Sequence, residues 1–400
     1  MITKIKVSNF KSFKDFKTDL SNLNVIVGAN GSGKSNFINI FKFLRDIVDS
    51  GLDEAINNQG GLKYFRNLSI MDKTPTKFYF NFEVDFNFST VAYSLNISNI
   101  EYDLNIKYSD DLDYDIEYEK IRFKSNINNE TIFFELNNLN RQLNAFSDSK
   151  ENIFNIEEIF PSPILDVFQR RIDSGEVFSL LETPLIELPF NWGVIFKNIG
   201  FYDIEPKKAK EIASINGKNF LKESGENLAV IVDEIVKDND KKRKFLNLIK
   251  FFIPAIENID SFQYCDSNSI YFKIKERFFD PDLPSQYISD GTNYIIAIIV
   301  ALCFSLNNPV FIEEIDKNIH PKLISTLILL INEVLDSKQV FITTHNSEIL
   351  KYIDINVLYL IKRDFNGFST ITKPAHSKEV KSFLDEEIGI EELFSEDLLM

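Results

Sequence analysis

Two cysteines and three histidines are all that 400 residues contain of these types. Cys265 and Cys303 cannot build a disulfide framework or a zinc cluster, and this usage fits a reducing, cytoplasmic setting. Positive charge is in deficit: 44 Lys and Arg stand against 60 Asp and Glu, a formal net charge of −16. A chain of that sign cannot coat nucleic acid with its whole surface, because the electrostatic part of such binding needs positive surface; a local basic groove stays allowed. Long apolar runs are missing too. The longest, residues 294–304, is too short to cross a bilayer and reads as a buried helix. The opening residues alternate in polarity and lack the apolar stretch of a signal peptide, so no membrane segment is expected.

What is present is ordinary globular material. A hydrophobic share of 44% supports a sizeable core and excludes wholesale disorder. At roughly 100–200 residues per domain, the length implies two or three units. Strands are expected at 4–7 and 23–27, then a glycine-rich turn and a helix from Asn36 to about 49. From 76 to 88, Phe78, Phe80, Phe82, Val84, Phe86 and Phe88 alternate with polar residues, the period of a half-buried antiparallel strand. Weaker copies at 92–97, 102–108, 116–123 and 131–136 complete a meander. After about 150 the pattern turns helical. Leu228, Ile231, Val232, Ile235 and Val236 share one helical face, and a second helix covers 241–252. From 287 onward helices and strands alternate, which indicates a mostly parallel sheet. The expected fold is α/β: a nucleotide-binding head split between 1–75 and 256–400, an antiparallel β region at 76–149, and a mostly helical insertion or lid at 150–255.

The chemistry concentrates in four places. Gly28-Ala-Asn30-Gly31-Ser32-Gly33-Lys34-Ser35, continued by Asn36, matches the Walker A pattern between a strand and a helix, which is the context that motif requires. Its glycines let successive N–H groups curl around phosphate oxygens, and the helix N-terminus adds partial positive charge. Lys34 can reach the β- and γ-phosphates, and the Ser35 hydroxyl can ligate Mg²⁺. The strand 309–312 delivers Glu313 and Glu314 at its C-terminal end, the edge where ligands bind in open α/β sheets. Glu313 is the candidate for the Mg²⁺ shell and Glu314 for the base that orients and deprotonates water. His345 follows the buried strand 339–343, where it can hydrogen-bond a γ-phosphate. His320, beside Pro321, reads as a turn residue, and His376 has no supporting context. Finally Ser289-Asp290-Gly291-Thr292 leads into the apolar helix. It reads as an anion site or as a cap formed by Ser289 or Asp290.

That order of motifs resembles the ATP-binding-cassette ATPases of the SMC/RecF-like branch. The opening Ile5-Lys-Val-Ser-Asn-Phe10-Lys11-Ser12-Phe13 resembles them as well. The phrases Ile312-Glu-Glu-Ile-Asp316 and Thr343-Thr-His-Asn-Ser347 resemble prokaryotic AAA-type ATPases of the RecF/OLD kind, many of them encoded in antiphage loci. The resemblance implies ATP and Mg²⁺ as ligands and a homodimer that sandwiches ATP, with Ser289 and Gly291 acting in trans. It implies a switch subunit for a separate toxin or nuclease. Lys11 and Ser12 would approach the nucleotide from the N-terminal side, and Gln59 is a candidate for the glutamine that contacts Mg²⁺. Glu313 stands where the family usually has Asp, and Asp290 and Thr292 where Gly and Gln are common; both departures imply slow turnover. Only 55 residues follow His345, so no appended nuclease domain is expected.

Two basic clusters, Lys207-Lys208-Ala-Lys210 and Lys241-Lys-Arg-Lys244, would suit a phosphate backbone or a solvated helix face. Asp111, Asp113, Asp115, Glu117 and Glu119 read as a solvated strand face rather than a metal site. A DNA-clamping repair ATPase and a nucleotide-binding scaffold with little hydrolysis are the alternatives to the switch.

Overall fold

The computed structural model describes residues 1–70, 73–89, 94–109, 113–127, 130–139, 142–147, 162–182, 193–215, 220–264, 268–385, 388–396 and 398. Cys265 and Asp111 lie outside them. In chain order the strands are β1 (Ile2–Phe10), β2 (Phe13–Asp19), β3 (Leu23–Val27), β4 (Thr76–Ser89), β5 (Ser94–Tyr108), β6 (Tyr114–Ile127), β7 (Glu130–Leu139), β8 (Gln142–Ser147), β9 (Gly200–Tyr202), β10 (Ala213–Ser214), β11 (Ile256–Gln263), β12 (Ser269–Glu276), β13 (Leu283–Pro284), β14 (Val310–Ile312), β15 (Val340–Thr344), β16 (Leu358–Arg363) and β17 (Ser369–Thr372). The chain forms two compact units. One comprises Met1–Asn22, Gly28–Ile199 and Tyr359–Thr372; the other comprises Leu23–Val27, Gly200–Leu358 and Lys373–Met400.

In the first unit the strand order is β8-β7-β6-β5-β4-β1-β2-β17-β16. Neighbours are antiparallel apart from β17 and β2, which run parallel at Ser369 and Phe13. The expected meander is therefore present as β4 to β8. Period-two burial of Phe78, Phe80 and Phe82 drives β4 onto the helix Lys34–Ser50. Phe43 of that helix meets Phe65 at 4.7 Å and Phe78 at 5.2 Å, and Phe10 meets Phe65 at 5.3 Å. Each such buried ring contributes on the order of 2 kcal/mol.

Two bulges correct the sequence reading. The β4–β5 register shifts between Glu83 and Phe86, so alternation does not carry through to Phe88 and Phe86 is 41% exposed. The β5–β6 register shifts between Asn105 and Ile106, which pair with Tyr118 and Ile116 and leave Glu117 as the extra residue. A one-residue insertion flips every later side chain to the other face. Glu119 was expected on the solvated acidic face; it is fully buried. Its carboxyl accepts hydrogen bonds from the Tyr102 hydroxyl at 2.8 Å, the Ser179 hydroxyl at 2.5 Å and the Leu180 N–H at 2.8 Å. Desolvation outweighs these donors and pushes its pKa up to about 7.

In the second unit β3, β15, β14 and β9 lie side by side in that order, all parallel. Phe311 stacks on Phe341 at 4.2 Å and on Phe201 at 5.1 Å, a ladder of rings across three strands. The strand β9 falls inside the stretch expected to be helical; three residues, Gly-Phe-Tyr, are too few to show a period. The helix Asp290–Cys303 buries Asn293 through Leu302 without a break, as its unbroken apolar run predicts. The helix Leu228–Lys237 buries Leu228, Ile231, Val232 and Ile235 of the face read from the sequence, while Val236 is only half-buried. A second sheet orders β10-β12-β11, with β13 on β12. Among the described residues no helix is long and apolar enough to cross a membrane.

Glu119 makes stability pH-dependent. Its folded pKa lies above the ordinary value, so between about pH 4.5 and 7 the folded chain binds more protons than the unfolded chain. Its contribution is complete below that window and is lost as pH rises through it. Urea midpoints for the wild type should fall from about pH 5 to about pH 8, and Glu119→Gln should flatten the fall. Equal falls in both proteins would sink the assignment.

Candidate functional site

The phosphate loop, residues 28–35, lies in the first unit. Gly31 and Gly33 hold φ of 76° and 120°, the left-handed region that only glycine enters cheaply. At Gly28 a Cβ would fall 2.3 Å from the Ile361 carbonyl oxygen, and at Gly33 2.3 Å from the Ser369 hydroxyl. Both positions are closed to side chains by space, and Gly33 by conformation as well. The helix Lys34–Ser50 has no acidic residue in its first turn, so no carboxylate of that turn competes with an anion for the positive end of its dipole. Lys34 is 8% exposed. Its ammonium donates to the carbonyls of Gly28 at 2.6 Å and Ala29 at 3.1 Å, so the lysine lies back over its own loop. Asn30, Gly31 and Ser35 are exposed, while Ser32 is buried and Asn36 half-buried.

Lys11 and Asn36 are tied to neighbouring protein groups. Lys11 sits at φ 46° in the turn between β1 and β2. Its ammonium donates to the Gln59 carbonyl at 3.0 Å, and burial lowers its pKa. Gln59 itself is buried, at 6% exposure. Asn36 donates its amide to the Ser12 hydroxyl at 2.8 Å.

The carboxylates and the histidine lie in the second unit. Parallel register places Ile312 opposite Ile342 and Val27 opposite Thr344. Glu313 and Glu314 leave β14, and His345 leaves β15, at the same C-terminal edge. Glu313 N–H donates to the Tyr202 carbonyl at 2.8 Å. Glu314 then turns into the left-handed region at φ 46°. Two residues hold it there: its N–H donates to the Thr343 hydroxyl at 3.0 Å, and its carbonyl accepts from the Tyr294 hydroxyl at 3.1 Å. His345 Nδ1 stands 3.9 Å from Glu314 Oε1, with both side chains about half exposed. Thr344 donates to Asp316 at 2.7 Å and fixes the turn that follows.

Ser289 is the N-cap of the helix Asp290–Cys303; its hydroxyl oxygen accepts the Thr292 N–H at 3.1 Å. Asp290 turns to Lys210, 2.7 Å away. A Cβ on Gly291 would lie 2.9 Å from the Asn318 carbonyl, so the turn after Glu314 packs directly on the start of this helix. His320 accepts the Lys322 N–H through Nδ1 at 3.2 Å and caps a short turn, the role read from its sequence context.

Sequence reasoning missed Thr343 and Tyr294 as holders of Glu314. Thr343 lies within a motif that drew attention for its histidine, and Tyr294 is one more residue of an apolar run. A hydroxyl near the end of a buried strand is a faint signal for Thr343, and a lone hydroxyl in an apolar helix is a faint one for Tyr294.

A strand-to-helix phosphate loop together with paired carboxylates at the C-terminal edge of a parallel sheet defines a P-loop nucleoside triphosphatase of the α/β class. The family model described as "AAA domain, putative AbiEii toxin, Type IV TA system" matches residues 23–351, and the chain belongs to that family. The ATP/GTP phosphatase of Helicobacter pylori (strain ATCC 700392 / 26695) is 22% identical over 373 residues, 88% of each chain. The chain is an ATPase. Among solved structures, an SMC head bound to the C-terminal winged-helix domain of ScpA matches with a TM-score of 0.48 at 15% identity, covering 93% of this chain and 97% of that one. An SMC head with an extended coiled coil from Pyrococcus furiosus, bound to the C-terminal domain of ScpA, matches with a TM-score of 0.43 at 14% identity, covering 96% and 98%.

The hold on Glu314 is testable. Thr343→Val keeps the shape and removes the acceptor for the Glu314 N–H. It should cost about 1–2 kcal/mol in denaturant titrations and slow ATP turnover, and Thr343→Ser should restore both. Normal turnover in the valine variant would show that Glu314 does not need this bond.

Proposed function

We propose that this chain is the ATP-dependent switch subunit of a toxin-type or antiphage complex, working as a homodimer that closes around ATP. The carrying observation is the pairing of Glu314 with His345, 3.9 Å apart at neighbouring strand tips, in a chain that also holds a complete phosphate loop. ATP enters with its phosphates against residues 30–36, and Lys34 exchanges the Gly28 and Ala29 carbonyls for β- and γ-phosphate oxygens. Glu314 orients a water and takes its proton as the water oxygen bonds to the γ-phosphorus. The bond to the β–γ bridging oxygen breaks and ADP leaves. His345 hydrogen-bonds the γ-phosphate and steadies the Glu314 carboxylate.

Mg²⁺ suits the donors at hand. Ser35, with an exposed hydroxyl, and Glu313, with a half-buried carboxylate, would hold it; both offer the hard oxygen ligands this ion prefers. When bound it neutralises charge on the transferring phosphoryl group.

Closure would bring Ser289 and Gly291 of the partner subunit to the γ-phosphate, each at the start of its helix. The ion pair between Asp290 and Lys210 supports this reading, because it turns the signature carboxylate aside and neutralises it. Loss of the γ-phosphate loosens the pair, and the separate effector responds to that change. The family description, "AAA domain, putative AbiEii toxin, Type IV TA system", supports a role in a system of that kind.

Three variants test the scheme. Lys34→Ala should lose ATP affinity by calorimetry, at least roughly tenfold. Glu314→Gln should abolish phosphate release yet keep ATP-induced association in sedimentation; normal turnover would remove Glu314 as base. Ser289→Arg should bind ATP and stay monomeric, and full activity as a monomer would refute action in trans.

A further inference from the structure

The phosphate loop is held from outside by a hairpin that lies far along the chain. Strands β16 and β17 pair through Arg363 and Ser369, and the turn between them is internally bonded. Asp364 N–H donates to the Phe368 carbonyl at 2.8 Å and Gly367 N–H to the Asp364 carbonyl at 3.0 Å. The Asp364 carboxylate accepts the N–H groups of Asn366 at 2.9 Å and Phe368 at 2.8 Å. This is a rigid support, and it touches the loop at four residues.

Ile361 closes the space beside Gly28, and Ser369 closes the space beside Gly33. Arg363 Nε donates to the Gly31 carbonyl at 3.0 Å while its Nη1 donates to the Gly367 carbonyl at 2.5 Å, so one guanidinium bridges loop and hairpin. The Ser369 hydroxyl lies 2.5 Å from the Ser32 carbonyl oxygen and 2.8 Å from the Ser12 hydroxyl. A carbonyl can only accept, so the single Ser369 proton goes to Ser32. Ser12 then donates to Ser369, and Asn36 donates to Ser12 at 2.8 Å. The result is a directed chain from the first turn of the helix, through two hydroxyls, back to the loop. Ser369 is 1% exposed and Ser12 7%, so water does not compete freely for these bonds.

The direction of the carbonyls matters for anion binding. In a planar trans peptide the C=O and N–H point opposite ways. Tying the Ser32 carbonyl to Ser369 turns the Gly33 N–H away from the hairpin, the direction a cradle for phosphate needs. We propose that Ser369 and Arg363 are positioning residues for nucleotide binding: they fasten the Ser32 and Gly31 carbonyls outward and so keep the phosphate loop in its anion-receiving shape. This rests on reading residues 28–35 as the nucleotide site.

The test uses the full chain and ATP as probe. Ser369→Ala should weaken ATP binding roughly fivefold to tenfold in calorimetry. KM should rise in step while kcat holds, and amide exchange at residues 31–33 should quicken. Ser369→Thr, which keeps the hydroxyl, should restore affinity. Arg363→Gln, at an exposed position that leaves the fold intact, should raise KM in the same way. Wild-type affinity and unchanged loop exchange in both Ser369→Ala and Arg363→Gln would overturn the proposal. If Lys34→Ala also bound ATP like the wild type, the nucleotide site itself would be misassigned and the proposal would fall with it. A loss confined to Ser369→Ala and Arg363→Gln that Ser369→Thr did not repair would overturn the role given to the hydroxyl.

Discussion

Parallel pairing among Leu23–Val27, Val310–Ile312 and Val340–Thr344 is the constraint on which the chemistry depends. Parallel strands cannot be joined by a tight turn, so each of these segments is separated from the next by a long crossover. Once paired in register they end at one edge, and whatever follows each strand is delivered there. In this unit the residues that follow are Glu313 and His345. The stack of Phe201, Phe311 and Phe341 locks that register, because a slip of one residue would take each ring off its partner. Core packing and site geometry are thus consequences of the same alignment.

Conformational strain sits at the points where chemistry is assigned. Glu314 holds a positive φ without being glycine, which costs on the order of 1 kcal/mol or more. The Thr343 hydroxyl and the Tyr294 hydroxyl offset that cost from opposite sides of the residue. The Thr343 acceptor and the Tyr294 donor come from rigid elements, one strand and one buried helix, so the backbone that carries the carboxylate is fixed from both sides. In the loop the same logic applies to charge. Lys34 is buried, and two carbonyls hold its ammonium where phosphate oxygens would otherwise do so. In the proposed mode of binding the lysine would exchange one set of oxygen partners for another, which would keep its added desolvation small.

The motifs were legible because each couples a residue pattern to one local geometry. Gly-rich spacing before Lys34 admits few backbone shapes, and a buried strand ending in Glu313-Glu314 can present them only at its tip. The β-meander and the helix faces were legible from period alone. The misreadings have one physical origin in common. A bulge is a single inserted residue, invisible to period counting until its partner strand is known, and the one at Glu117 moved Glu119 from solvent to core. The strand β9 is short and gains its stability from β14 beside it, a tertiary effect that overrides local propensity. Ser369 and Arg363 were illegible for a similar reason. Nothing in their own neighbourhood says that they will lie against a loop formed near the other end of the sequence.

Electrostatics bears on what kind of partner the surface suits. With a net charge of −16, the long-range field repels a polyanion unless a local patch is strong enough to reverse it. The two basic clusters are largely spent on acidic neighbours. Lys208 pairs with Glu205, Lys210 with Asp290, Lys242 with Asp260 and Arg243 with Asp240. Each pair at the surface is worth little to stability, about 0–1 kcal/mol, yet each removes a cation from the count available to phosphates. Lys244 lies over the Phe304 ring at 5.9 Å, which holds its charge close to the fold. A nucleic-acid clamp needs uncompensated cations along a path, whereas a protein partner can be met by a mixed, internally balanced surface. The arrangement of these pairs is a support for the proposed protein effector that is independent of the motifs that identify the ATPase.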